Sequence, residues 1–204
     1  MQEISISEWN KLSKTEKAKI TKINFPGTKK ISNVTDRPTL AFATMCKNEE
    51  HCIGITLECV SPYVDYIVVA DNGSTDKTFE IVTEFFERTG IPGAWHIDPW
   101  DGYAINKTKM MSYAKGKTNY LLHLDADDFL SGDFSFLFQD VGADIYNMTL
   151  KRGALSWKAT VLYNNSLTWR FIGTAHTVIA ADDKPRLEYG DLTNKGFINA
   201  DGIG

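Results

Sequence analysis

The chain has 204 residues, of which 43% are hydrophobic and 24% charged, with a formal net charge of -4. That length and balance suit one globular domain with a sizeable core. The negative charge argues against nucleic acid as the main partner, and no apolar run approaches the ~20 residues a helix needs to cross a bilayer.

Residues 1–37 read as a basic N-terminal segment that packs on the domain. Ser7-Glu8-Trp9 reads as a helix start, and Lys11, Lys14, Lys17, Lys19, Lys22, Lys29 and Lys30 follow. Such a run is a solvated helix or a surface for anionic lipid headgroups, which makes peripheral membrane contact one expectation. Met1-Gln2-Glu3-Ile4-Ser5 lacks the basic-then-apolar pattern of a signal peptide. Cys52 and Cys59 fall seven apart in an expected helix, about 10 Å along its axis and too far for a disulfide. All three cysteines are therefore expected as reduced thiols in a cytoplasmic protein.

From residue 38 strands and helices alternate. Residues 40–45 and 66–70 are short apolar runs of the kind found in strands buried on both faces. Helical spacing follows each, over 49–60 and 78–89, and Gly90-Ile91-Pro92-Gly93 ends the second helix. A short strand at 94–97, a helix over 103–114 and a strand from Tyr120 to Asp125 complete the series. This order predicts an α/β fold with a mostly parallel sheet and helices on both faces. Beyond residue 128 the runs 144–150, 158–163 and 175–180 have no helices between them and predict a small antiparallel extension. Asp201-Gly202-Ile203-Gly204 reads as the middle of a loop, so the domain over 38–204 is expected to be cut short there.

The run Tyr120-Leu121-Leu122-His123-Leu124 ends abruptly in Asp125-Ala126-Asp127-Asp128. In open α/β sheets, ligands bind beyond the carboxyl ends of such strands. An extended backbone would aim Asp125 and Asp127 the same way, and two converging hard oxygen donors suit Mg²⁺ or Mn²⁺. A polar turn is the plainer alternative. An EF-hand is excluded, because Leu130 stands where its loop needs Gly.

The stretch Met45-Cys46-Lys47-Asn48-Glu49-Glu50, then Leu57-Glu58-Cys59-Val60, then residues 64–78 with Asp71-Asn72-Gly73-Ser74-Thr75-Asp76 at their centre, resembles a family 2 glycosyltransferase. Leu124-Asp125-Ala126-Asp127-Asp128 resembles that family's Asp-x-Asp motif, at the expected distance downstream. The resemblance implies a GT-A, Rossmann-like fold, a nucleotide-sugar donor (most often a UDP-sugar) and inverting transfer to a hydroxyl of a glycan, lipid-linked or protein acceptor. It implies that Asp127 is the direct ligand of Mn²⁺ or Mg²⁺, and that Asp125 reaches the ribose, or the metal through water, with Ala126 beside the nucleotide. The metal would neutralise charge on the leaving diphosphate.

Thr44 and Glu49 match positions that line the nucleoside; Glu49 fits a first-turn helix acid equally well. Asp71, at a strand end, would accept hydrogen bonds from uracil or ribose. It is expected not to be needed as a cap, while Ser74, Thr75 and Asp76 are explained as helix caps. Lys47 would approach the diphosphate, or stay solvated. Asn106-Lys107 resembles the family's Arg-Asn pair in altered order. Lys107 or Lys109 could supply a cation, a helix-surface lysine being the alternative.

Trp169-Arg170-Phe171-Ile172-Gly173-Thr174-Ala175-His176 resembles the family's Trp-x-x-x-Gly-x-x-His segment, which makes His176 a metal-ligand candidate. Many relatives carry Glu next, where this chain has Thr177. An inverting displacement needs a carboxylate base near the acceptor hydroxyl, and Asp182, Asp183, Glu188, Asp191 and Asp201 are the candidates. Two rivals remain: a nucleotidyltransferase, disfavoured because residues 45–50 contain no Gly, and a non-catalytic sugar-nucleotide-binding module.

Overall fold

The computed structural model describes residues 2–28, 37–132, 134–135, 142–174 and 177–200. Its core is four parallel strands: β3 (Leu40–Cys46), β4 (Tyr66–Asp71), β5 (Gly93–Ile97) and β6 (Tyr120–His123). They lie in the order β5-β4-β3-β6 within an eleven-stranded sheet. The chain therefore steps outward from β3 to β5 and then returns to the other side of β3. That reversal opens a crevice at the carboxyl ends of β3 and β6, where this class of sheet binds ligands.

Side chains alternate across the sheet, as the pleat requires. Phe42, Ile67, Val69 and Leu122 pack with Ile53, Leu57 and Val60 of α3 (Ile53–Val60) and with Val82 and Phe86 of α4 (Thr78–Thr89). Ala41, Ala43, Val68, Ala70 and Leu121 face the other way, onto Met110, Met111 and Ala114 of α5 (Tyr103–Ala114). Helices thus cover both faces, as expected. Gly90 ends α4 at φ 64°, a left-handed conformation that glycine adopts freely.

The later strands extend the sheet. β9 (Leu155–Asn164) pairs antiparallel with β6 and with β8 (Ile145–Arg152). β13 (Phe197–Asn199) lies between β8 and β7 (Phe129–Ser131), antiparallel to β7. β12 (Tyr189–Asp191) runs parallel to β8. β10 (Trp169–Ile172) and β11 (Val178–Ala181) form a separate hairpin. The expected antiparallel extension is present, although two of its strands pair in parallel.

The expectation of a helical N-terminal segment is corrected. Its described part holds β1 (Gln2–Ser5), β2 (Ile20–Phe25) and two four-residue helices, α1 (Ile6–Trp9) and α2 (Lys14–Lys17). β2 pairs antiparallel with β5, and Ile20, Ile23 and Phe25 are buried. The burial of those three side chains binds the segment to the sheet more strongly than its lysines favour a free helix. Lys11, Lys14 and Lys19 stay exposed. No helix among the described residues is long and apolar enough to cross a membrane.

Candidate active site

A cavity of about 430 Å³ opens at the carboxyl ends of the parallel strands. It is lined by Met45 and Cys46 at the end of β3, by Lys47 and Glu49 after it, by Asn72 after β4, by Trp100, Tyr103 and Lys107 before and on α5, and by Asp125, Ala126 and Asp127 after β6. Three of the loops read from the sequence therefore meet.

The first two loops are tied together by hydrogen bonds. Asn48 adopts φ 58°, a left-handed conformation that Asn tolerates. Its N–H donates to Ser74 Oγ at 2.9 Å, and its Oδ1 accepts from the Thr75 N–H at 2.7 Å. The Glu49 N–H donates to Thr78 Oγ1 at 2.8 Å, and the Glu50 N–H to Asp76 Oδ2 at 3.0 Å. Ser74 and Thr75 thus lace loops rather than cap α4; Asp76 accepts from the Thr78 N–H at 3.0 Å from one residue before the N-cap position, which Lys77 holds without a side-chain cap bond.

The acidic turn differs from the extended strand end expected. The strand stops at His123, and Ala126 and Asp127 form a turn. The Asp128 N–H donates to the Asp125 carbonyl at 3.1 Å, which closes the turn. Thr56 Oγ1 donates to the Ala126 carbonyl at 2.7 Å, so α3 holds the turn from beneath. Asp125 and Asp127 still line the same cavity. Lys107 Nζ lies 3.5 Å from Asp125 Oδ1. Burial works against the charged form of Asp125, but His123 and Lys107 outweigh it and hold the carboxyl below its usual range. Burial, reinforced by the charges of Asp125 and Asp127, pushes buried Asp128 up to about 7. His123 is pushed down to about 4 by burial and then by Lys107. Its Nδ1 lies 3.1 Å from the Ala43 carbonyl, the satisfied core role expected of it.

Asp127 is half-buried and, among the described residues, has no side-chain hydrogen bond or ion pair. A carboxylate in a cavity without a cationic partner calls for one. Together with Asp125 it supplies the hard oxygen donors that a divalent cation such as Mn²⁺ or Mg²⁺ takes. The residues present fit such an ion. His176 lies outside the described residues.

Several expected site residues stand elsewhere. Thr44 is fully buried inside β3 and is absent from the cavity lining, because its position falls before the strand's end. Asp71 is buried, is likewise absent from the lining, and accepts the Ser74 N–H at 2.9 Å. It caps its own turn, contrary to the expectation; burial raises its pKa. The neighbouring Asn72 reaches the cavity instead. Asn106 is fully buried with both ends of its amide engaged: Oδ1 accepts the Asp101 N–H at 2.7 Å and Nδ2 donates to the Pro99 carbonyl at 3.1 Å. It shapes the loop that carries Trp100 rather than lining the cavity. Lys109 binds Asp98 and Asp101, whereas Lys107 faces the site.

None of the four described base candidates lines this cavity. Asp182 pairs with Arg170, and Asp183 accepts the Thr168 N–H at 2.6 Å. Glu188 pairs with Lys184, and Asp191 with Lys158. Asp201 lies outside the described residues. Met45, Cys46, Asn72, Trp100 and Tyr103 line the cavity although the sequence reading did not name them as site residues. The first three lie within the motifs quoted above; a lone aromatic in a loop and another at the first position of α5 carry no periodic signal.

Residues 42–136 match the family model described as Glycosyl transferase family 2. The lipopolysaccharide core biosynthesis glycosyltransferase LpsC of Rhizobium meliloti (strain 1021) is 32% identical over 93 residues, which are 46% of this chain and 33% of that protein. The chain thus spans about a third of the length of the curated relative it matches. The crystal structure of S. aureus TarS superposes with a TM-score of 0.58 at 14% identity, covering 79% of this chain and 36% of that one. S. aureus TarS 1-349 in complex with UDP-GlcNAc gives 0.47 at 18% identity, over 57% and 35%. The stretch 42–136, which carries every residue lining the cavity, is similar to family 2 glycosyltransferases, and it sits on a GT-A type fold.

Proposed function

We propose that this chain is a metal-dependent, inverting glycosyltransferase that moves a sugar from a UDP-sugar to an acceptor hydroxyl. The observation that carries this reading is the acidic turn, paired with Lys107 in the wall of one cavity at the sheet's switch point. Asp127, with Asp125 beside it, would hold Mn²⁺ or Mg²⁺, which when bound screens the charge that develops on the departing diphosphate. Lys107, paired with Asp125 at 3.5 Å, can turn its ammonium to the diphosphate when the donor enters. Lys47, exposed on the cavity wall, adds a second cation. Glu49 and Asn72 offer polar groups to the nucleoside. Uridine is the base carried over from the family resemblance, and the nucleotide pool tested below includes guanosine.

Inversion needs a carboxylate to take the acceptor's proton. The described candidates are engaged away from the cavity, which leaves Asp201 as the one we advance. Its support is the register of β13: Asn199 pairs with Phe129, directly after the acidic turn, and the Arg152 Nε–H donates to the Ala200 carbonyl. A glycan, a lipid-linked sugar or a protein hydroxyl would serve as acceptor. The free cysteines support a reducing, cytoplasmic setting, and exposed Lys11, Lys14 and Lys19 support contact with an anionic membrane surface.

The test is incubation with UDP- and GDP-sugars and Mn²⁺, reading released nucleoside diphosphate and the product anomer by NMR. Release from a UDP-sugar with inversion, lost in Asp201→Asn, supports the reading. A non-catalytic module would bind the nucleotide and release nothing. A retained anomer would overturn inversion.

A further inference from the structure

Trp100 and Tyr103 stand at the cavity rim, 47% and 52% exposed. Their rings meet edge-to-face, 4.7 Å between centroids at 89°. In such a pair each ring keeps at least one face that the other leaves uncovered. The backbone beneath them is fastened. The Asn106 amide bonds to Asp101 and Pro99, and Lys109 Nζ binds Asp101 at 2.6 Å and Asp98 at 3.2 Å. Gly102 turns the chain between the two rings at φ 117°, where an L side chain would be strained. The loop is built as a platform that displays flat apolar surface to the cavity.

Its place along the sheet decides what it meets. Trp100 follows β5 and Asp127 follows β6, the two ends of the parallel row. Three strand spacings separate those ends, roughly 14 Å at about 4.8 Å each. A nucleotide whose diphosphate sits by Asp125, Asp127 and Lys107 extends its other end toward the aromatic pair, and that end is a planar base. Asn72, after β4, lies between. Its Nδ2 donates to the Asp98 carbonyl at 2.7 Å, which directs the amide's donor away and leaves Oδ1 as an acceptor for a ring N–H.

We propose that Trp100, propped by Tyr103, is the stacking platform for the donor's nucleobase, with Asn72 accepting from the base edge. This rests on the nucleotide-sugar reading above. It makes Trp100 a binding residue for the base and not for the diphosphate.

The experiment is calorimetric titration of UDP and of inorganic pyrophosphate, each with Mn²⁺, into the wild type, Trp100→Ala and Trp100→Phe. Base stacking on an aromatic ring predicts that Trp100→Ala weakens UDP roughly fivefold or more, while Trp100→Phe recovers most of the loss. Pyrophosphate binding stays equal in all three proteins. The proposal is overturned if Trp100→Ala binds UDP like the wild type, or if it loses pyrophosphate to the same degree. Wild-type protein that binds neither ligand overturns the nucleotide reading itself, and this proposal with it.

Discussion

Lys107 Nζ sits 3.5 Å from Asp125 Oδ1, one on the second turn of α5 and the other on the turn after β6. α5 is the crossover that leads the chain from β5 to β6 on the far side of β3, and that switch point sets the two side chains together. The pair gives the cavity an anionic floor with one cation already present. Lys107→Met removes the cation without shortening the stem. A charged hydrogen bond is worth about 1.5–3 kcal/mol, so UDP binding with Mn²⁺ should weaken roughly tenfold or more. Titration calorimetry checks this; unchanged affinity would remove Lys107 from the donor site.

The acidic turn depends on Thr56. Its hydroxyl donates to the buried Ala126 carbonyl at 2.7 Å. Thr56→Val keeps the shape and leaves that carbonyl without its donor, at a cost of about 1–3 kcal/mol in stability. Because the turn carries Asp127, Mn²⁺-dependent UDP binding should weaken several-fold, while the Mn²⁺-independent part stays as it was. Equal loss of both would mean that Thr56 acts only on the fold.

Asn106 is a positioning residue. Asn106→Ala breaks two hydrogen bonds to the loop of residues 99–101, costing roughly 1–3 kcal/mol. Urea unfolding should register that loss. Asn106→Asp can keep the acceptor from the Asp101 N–H and lose the donor to Pro99, and so should fall between wild type and Ala.

Much of this architecture was legible because parallel strands buried on both faces leave continuous apolar runs. Residues 66–70 and 120–124 announced themselves that way, and α4 and α5 matched their periodicity end to end. The N-terminal segment misled because its lysines are conspicuous, whereas Ile20, Ile23 and Phe25 are few and are buried only through pairing with β5, distant in sequence. Asp125 and Asp127 were legible from an apolar run ending in acid. Asn106 was not, since an amide that satisfies a loop and one that binds a ligand look alike in sequence. The four described base candidates stand away from the cavity for a related reason: Asp182, Glu188 and Asp191 find lysine and arginine partners that only the folded chain brings to them.

His96 gives the fold a pH dependence. It is buried, stacks on Tyr113 at 3.7 Å, and its Nε2 has no hydrogen-bond partner among the described residues. Burial first, and then Lys22, push its pKa from 6.5 to about 3. The folded state therefore favours the neutral ring. Below pH 6.5 the unfolded chain takes up a proton that the folded chain refuses, and stability falls as pH drops toward 3. His123, at about 4, acts in the same direction. His96→Phe should flatten the fall, by up to about 1.4 kcal/mol per pH unit, in urea midpoints taken between pH 6.5 and 4. An unchanged slope would mean that His96 does not titrate on unfolding.

The central claim is that the acidic turn binds a divalent cation which in turn holds a nucleoside diphosphate. Calorimetry of UDP binding with and without Mn²⁺, in the wild type and in Asp127→Asn, tests it most directly. The account predicts that Mn²⁺ strengthens binding in the wild type and has no effect in Asp127→Asn, with both proteins equally folded by circular dichroism. Mn²⁺ enhancement that survives Asp127→Asn would contradict it.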